Sequence, residues 1–360
     1  MFNSQLQTAL ANSLNLNLAR LKCLAILIAA VMKHRSVNLV TLATTEDGQT
    51  CSNESRYRRF QDFFLRCPLC FSPLGKLILQ RIPKPKEGYL LALDRTNWEF
   101  GRHTINFLVF AIVIGKVSVP IIWTVLPKKS RGGNSNQKQR ISLSKKLLKI
   151  LPAKDIQALT MDREFVGKEW LLWLDEQGIT YVVRIKKNTT VGWRSAAEYA
   201  ALPGRKSLDR QEIFGLKLYF GSGRMKGSAK EKIMVVSNRV SGKEALKLYR
   251  KRWGIERLFG HLKRKGFDLE GTHMTCPKKL EKLFAVVVLA FTYSFGWGCY
   301  LRSAALKTSA QSNRKSLFRL GLEDLVTLFD LSFTNKQKKQ DQRRFMHWLL
   351  SPGDPSIFLV

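Results

Sequence analysis

At 360 residues the chain is long enough for two or three domains around a large apolar core, which excludes a small module held by disulfides or zinc. Its 61 Lys and Arg outnumber 27 Asp and Glu, and the resulting +34 is spread along the whole sequence. Such a chain needs a polyanion partner, and nucleic acid is favoured, because phosphate neutralisation uses many distributed cations and 8 Trp and 21 Phe accompany them. A ribosomal or membrane-surface role is the alternative, and neither needs so much apolar core.

The first 82 residues read as short amphipathic helices with a basic-aromatic cluster, Arg56-Tyr57-Arg58-Arg59-Phe60, followed by Phe63, Phe64 and Leu65. Two readings stay open: a helical DNA-binding module, or a helical layer whose basic face is solvated. The cysteines (Cys23, Cys51, Cys67, Cys70, Cys276, Cys299) are scattered and follow no secretory signal, so a reducing compartment is expected, the prokaryotic cytoplasm with nucleoid association. Cys67-Pro-Leu-Cys70 is the only tight pair, and no second pair completes a zinc site. The apolar run 23–32 is too short to span a bilayer. Residues 283–301 approach the required length, but Thr292, Ser294, Gly296 and Gly298 within them and cations on both flanks predict a buried helix against a sheet, not a membrane span.

Pro83-Lys84-Pro85 marks a linker, after which the period turns strand-like. Strands are predicted over 89–94, 105–114 and 117–125, a basic Gly/Asn/Ser turn over 130–136, and a helix over 137–151. A strand ending at Met161, a helix over 166–177 and a strand over 180–185 follow. The order β-β-β-α-β-α-β, a meander and then helical crossovers, is that of a ribonuclease-H-like α/β mixed sheet of the retroviral-integrase type. Between 186 and 240 the pattern changes to a β-rich insertion with strands over 210–214, 216–220 and 232–237 and a Gly-rich basic turn over 221–227. It is expected to lengthen the sheet.

Ser241 with Glu244 is a capping-box start and Gly266 a C-cap stop, predicting one helix over 241–266. At about 100° per residue, Tyr249, Arg252, Glu256 and Lys263 form one polar line beside an apolar stripe of Leu248, Ile255, Leu258, Phe259 and Leu262. Taken alone, this is a basic surface helix with an Arg252–Glu256 ion pair. Past Arg302 the tail is basic and helical, with a solvated or DNA-facing run over 335–344. The expected division is therefore a helical region (1–82), a catalytic core (88–185 and 241–302) split by the insertion (186–240), and a basic C-terminal region (303–360).

In the ribonuclease-H strand order Asp94 and Asp162 end neighbouring parallel strands. Singly, Asp94 reads as a cap for the turn into Arg95-Thr96-Asn97, and Asp162 as the N-cap of the helix after it. Together with Glu256, on a helix that must pack back on the same sheet, they make three converging carboxylates in a chain of +34. Hard oxygen ligands of this kind suit Mg²⁺, with Mn²⁺ as a substitute. Two such ions would activate a water or 3′-hydroxyl and stabilise the leaving oxygen of an in-line displacement at phosphorus.

Tyr249-x2-Arg252-x3-Glu256-x6-Lys263 resembles the signature of the DDE transposases of bacterial insertion sequences, specifically the insertion sequence 4 family. The segments 91–101 (LALDRTNWEFG) and 160–170 (TMDREFVGKEW) resemble its two Asp blocks, and Leu269-Glu270-Gly271-Thr272-His273 the segment after its signature helix. The likeness runs over about 88–302. It implies that Asp94, Asp162 and Glu256 are the metal-binding catalytic triad, and that Tyr249, Arg252 and Lys263 contact the transposon end near the cleaved phosphate. It also implies that Trp193, in the insertion, stacks on a base flipped out as a DNA hairpin forms; packing of a strand or turn is the other reading of that tryptophan. The expected function is cut-and-paste DNA transposition: binding of terminal inverted repeats, Mg²⁺-dependent cleavage, and transfer of the freed 3′ ends to target DNA by a homodimer. A ribonuclease-H-like nuclease or resolvase that does not join ends, and a DNA-binding regulator derived from a transposase, are the competing readings.

Overall fold

The computed structural model describes residues 2–45, 51–127, 134–204, 206–224, 232–304, 315–329 and 336–350. The chain forms two compact units, one of Met1–Lys84, Glu99–His103 and Gly260–Val360, the other of Pro85–Trp98 and Thr104–Phe259.

The first unit opens with helices α1 (Phe2–Ala11), α2 (Leu18–His34), α3 (Leu39–Ala43), α4 (Asn53–Arg66) and α5 (Phe71–Leu79). The Asn17 side chain caps α2 by accepting from Arg20 N, and the apolar run inside that helix is buried. In α4 the basic-aromatic cluster is divided by its own periodicity. Phe60, Phe63 and Phe64 are buried, and so is Arg56, whose Nη1 donates to the Ala43 carbonyl at 2.6 Å. Arg58 and Arg66 face outward and pair with Glu54 and Asp62 one turn back.

The second unit is built on β1 (Tyr89–Phe100), β2 (His103–Ile114), β3 (Val117–Val125), helix α6 (Gln137–Leu148), β4 (Ile156–Met161), α7 (Lys168–Glu176) and β5 (Tyr181–Arg184). A small ribbon of β6 (Thr190–Val191) and β7 (Arg194–Ser195) follows, then α8 (Ala196–Ala201) and strands β8 (Lys206–Ile213), β9 (Leu216–Arg224) and β10 (Lys232–Ser237). Among the described residues the main sheet has eight strands in the order β3-β2-β1-β4-β5-β10-β9-β8. Its first five strands have the ribonuclease-H order, an antiparallel meander joined to parallel β1-β4-β5, so the fold is the α/β mixed sheet that the strand pattern predicted. The insertion lengthens the sheet by three antiparallel strands. The β8–β9 hairpin turns through Phe214 and Gly215, both at positive φ (56° and 69°), the geometry a two-residue turn needs to follow the strand twist.

Two expectations change here. Strand β1 does not stop at Asp94 but runs on to Phe100, so Asp94 caps no turn. Its burial shows why: Tyr89–Leu93, flanked by strands on both sides, are all buried, whereas later residues alternate. The Gly-rich turn expected over 221–227 begins as strand, because 221–224 complete β9; residues 225–231 lie outside those described. The turn expected over 130–136 is described only from 134 onward.

Helices α9 (Gly242–Lys251) and α10 (Gly254–Leu262) replace the single helix expected over 241–266. The Ser241 side chain accepts from Glu244 N, so the N-cap is where expected, while the Glu244 carboxylate pairs with Lys247. The break falls at Arg252 and Trp253. Gly254 lies so close to the Val117 carbonyl and Ser118 Oγ that an added Cβ would stand 3.0 Å from either, so α10 starts pressed onto the β3 backbone. Helix α9 lies over the sheet through Ala245, Leu246, Leu248 and Tyr249, against Leu90, Ala158, Val182, Ile233 and Val235. Each buried leucine there contributes about 1.5–3 kcal/mol. At its first turn Gly242 meets Gly221 of β9 backbone to backbone, with no room for a Cβ on either.

The boundary between the units falls within α10. The first unit is completed by α11 (Pro277–Ala304), α12 (Leu317–Phe329) and α13 (Lys336–Leu350). Helix α11 is long and apolar enough to cross a membrane, but the apolar window is 94% buried inside the protein. Its partners within its unit are helices, α12 first and then α2 and α4. Its glycines explain the composition: Gly298 and Gly321 of α12 pack backbone to backbone. The run expected over 335–344 forms the first part of α13, although most of its side chains lie outside those described. The six cysteines are free thiols.

Candidate active site

Strand register brings the site together. The parallel β1–β4 ladder ends at Leu93 opposite Met161, and the β4–β5 ladder at Met161 opposite Val183. The residues that follow are Asp94, Asp162 and Arg184, so the three stand level where the β1–β4 and β4–β5 pairing ends. Asp162 opens a 3₁₀ turn (Arg163–Phe165), but its side chain does not cap that turn. Instead Asp162 Oδ1 accepts from the Tyr249 hydroxyl at 3.2 Å and lies 4.0 Å from Arg184 Nη1.

Arg252 stands at the centre. Its Nη1 donates to Asp94 Oδ2 at 2.7 Å and its Nη2 to Glu256 Oε1 at 3.2 Å. The Arg252 side chain is 9% exposed, against 18% for Asp94 and 40% for Glu256. Arg252 closes the last turn of one helix, and Glu256 lies in the first turn of the next. Arg252 Nε is buried and finds no acceptor among the described residues, so the guanidinium is incompletely satisfied.

The electrostatics follow from burial and crowding. Burial raises the Asp94 carboxyl above the ordinary aspartate range, and Arg252 pulls it part of the way back. Burial also raises Glu256; Arg252 opposes this, while Asp94 and Asp162 add like-charge repulsion. Tyr249 is pushed up to about 12 by burial and donates to Asp162 as a neutral hydroxyl. Burial works against the charge on Arg252, yet Tyr249 and the carboxylates Asp94, Asp162 and Glu256 outweigh it and hold the guanidinium above its ordinary value.

Of the residues singled out in the sequence, Asp94, Asp162, Glu256, Tyr249 and Arg252 are therefore joined in one network. Lys263 directly follows the last residue of α10, Leu262, and its Nζ pairs with Glu270 at 2.9 Å. Trp193 sits at the tip of the β6–β7 ribbon, 74% exposed, with the Arg194 guanidinium 4.0 Å above its ring. Packing within the insertion is thus not its role.

Three features escaped sequence reasoning. Arg184 was recoverable, since it ends the strand beside Asp162. Trp253, 50% exposed at the helix break, was masked by the assumption of one helix. The Arg95–Glu164 ion pair joins the two Asp-bearing segments at 2.8 Å and left no trace in local pattern.

Among the described residues, no three His, Cys, Asp or Glu side chains are grouped closely enough to hold one metal ion. The donor chemistry nevertheless fits a hard divalent cation: the carboxylates offer only oxygens, and Asp94 Oδ2 and Glu256 Oε1 already turn toward a single cationic group.

An acidic cluster just past the paired stretch of two parallel strands, on a ribonuclease-H-like sheet in a strongly basic chain, defines the class: a nuclease or nucleotidyl transferase. The chain belongs to the DDE transposase family, since the family model described as the transposase DDE domain matches residues 85–293. Among solved structures it is similar to the piggyBac transposase in a cryo-EM synaptic complex with hairpin DNA, at 14% identity and a TM-score of 0.46, over 98% of this chain and 84% of that one. No curated protein matches the chain.

Proposed function

We propose that this DDE transposase catalyses cut-and-paste transposition of a bacterial insertion sequence of the insertion sequence 4 family, cleaving DNA at the element's terminal inverted repeats and transferring the 3′ ends to target DNA. The observation that carries the reading is the convergence of Asp94 and Glu256 on Arg252, with Asp162 alongside, in a chain of +34.

Asp94, Asp162 and Glu256 would hold Mg²⁺, or Mn²⁺ in its place, as two ions. When bound, these supply Lewis-acid stabilisation of the attacking and leaving oxygens at phosphorus. The protein's own part is electrostatic. Arg252 neutralises the carboxylates while no ion is bound and keeps them from repelling one another apart. An ion held by these carboxylates would compete with the guanidinium for their negative charge, and a DNA phosphate would be the partner for an Arg252 released from them. Tyr249 orients Asp162 through its hydroxyl. Arg184, level with Asp162, adds positive charge where the phosphate backbone must approach. Lys263 is proposed to contact the transposon end, releasing Glu270 to do so. Trp193, exposed on its ribbon, is proposed to stack on a flipped base. Holding two ends for joining calls for a homodimer on DNA, and the site of action is the nucleoid in the cytoplasm.

The test is incubation with DNA carrying the element's own ends, with and without Mg²⁺. Breaks at the ends followed by strand joining, both lost in Asp94→Ala, are expected. Binding without metal-dependent cleavage across a range of salt would overturn the reading.

A further inference from the structure

The sheet's hydrogen bonds stop one rung short of the carboxylates. Beyond Leu93 and Met161 the β1 and β4 backbones are no longer paired, yet the spacing of Asp94 and Asp162 depends on those very residues. A side-chain bridge lies just past that point. Arg95, next to Asp94, and Glu164, two residues after Asp162, meet through two parallel bonds, Nε to Oε1 and Nη2 to Oε2, both 2.8 Å. Their side chains are only 16% and 20% exposed.

Each end of the bridge is itself held. The Arg95 backbone N–H donates to Asp94 Oδ1 at 2.8 Å, so the same residue orients the first carboxylate and grips the second segment. Arg95 Nη2 also donates to Asn134 Oδ1 at 2.9 Å. On the other side the Glu164 carbonyl accepts from Arg140 Nη2 at 2.9 Å. Arg140 is buried over the Phe165 ring and tied to Ser135 through Oγ and the carbonyl. Both Glu164 oxygens are engaged by Arg95.

We infer that Arg95 and Glu164 are positioning residues: a two-point clamp that sets the separation and aim of Asp94 and Asp162 for divalent-metal binding. A two-point guanidinium–carboxylate pair fixes orientation as well as distance, which a single contact from lysine cannot do. Groups that hold ligands in place typically change metal affinity about 10- to 100-fold when removed. The inference rests on the proposed metal role of the triad.

The test is Mn²⁺ titration of the full-length protein without DNA, followed by electron paramagnetic resonance, with thermal unfolding in parallel. Wild type is expected to take up Mn²⁺ and Asp94→Ala to lose it. Arg95→Gln, Arg95→Lys and Glu164→Gln are each expected to weaken uptake about 10-fold. The double variant Arg95→Gln/Glu164→Gln is expected to be no worse than either single, because the two residues act as one unit. Unchanged or tighter Mn²⁺ binding in the single variants, or additive losses in the double, overturns the clamp, even where the melting temperature falls. Wild-type protein that takes up no Mn²⁺ overturns the metal site, and the clamp with it, so the two failures are distinguishable.

Discussion

Arg252 and Asp94 lie 158 residues apart in the chain, yet their side chains meet at 2.7 Å, with Glu256 on the other arm of the same guanidinium. An arginine so placed has the position and charge of a cation at the centre of the acidic cluster. Its guanidinium bridges the two carboxylates, and its charge offsets their mutual repulsion.

Competition follows from that geometry. Arg252→Gln removes the resident charge and leaves Asp94 and Glu256 facing each other with their repulsion uncompensated. The DNA-free variant is expected to bind Mn²⁺ several-fold more tightly than wild type by isothermal titration calorimetry, while binding DNA ends more weakly. Equal Mn²⁺ affinity in the two proteins would show that Arg252 and the ion do not share the carboxylates.

Glu256→Gln keeps the shape of the side chain and its bond from Arg252 but removes the charge. Cleavage of end-bearing DNA is expected to fall below detection, with end binding in a gel-shift assay largely intact. If the Glu256→Gln variant still cuts, Glu256 does not belong to the catalytic triad.

Gly221→Ala probes how α9 is seated. The new Cβ would collide with the Gly242 backbone, and overpacking of this kind costs about 1–3 kcal/mol. A lowered melting temperature is expected together with reduced cleavage, since α9 carries Tyr249 and leads into Arg252. Unaltered stability would mean that the helix shifts without cost.

Trp193→Ala should leave folding untouched, because the ring is largely in solvent. Base stacking on an aromatic ring is worth about 1–3 kcal/mol, so the hairpin step at the ends should slow about 5- to 150-fold. The signal of 2-aminopurine placed at the flipped position would weaken in parallel. Wild-type hairpin kinetics in the variant would dismiss the stacking role.

Much of this was legible in the chain alone, for physical reasons. The central strands are short runs of apolar residues bounded by turn signals, and their order dictates a ribonuclease-H-like sheet once crossovers are required to be right-handed. Asp162 stood out because a strand end is a local feature, and so is the end of the apolar run before Asp94, although β1 itself continues to Phe100; the Tyr249–Glu256 spacing is likewise a local pattern. The helix break at Arg252 was hidden because the amphipathic pattern runs straight through it, although Gly254 beside it is a poor helix former. What breaks the helix is the contact of Gly254 with the β3 backbone, residues more than a hundred positions away. Lys263 follows the last residue of α10 and pairs with Glu270, a partner that helical spacing alone could not reveal.

The sequence by itself determined a large, strongly basic α/β protein, the strand order of its sheet, and which carboxylates it offers, because charge, hydrophobic period and turn chemistry are written residue by residue. Only the tertiary structure decided that Arg252 sits among those carboxylates, that Tyr249 reaches Asp162, and that Arg95 and Glu164 join the segments bearing the two aspartates. Each of these is a pairing between side chains far apart in the chain. Such pairings depend on register and on the close approach of backbones at glycines, and neither has a signature in local sequence.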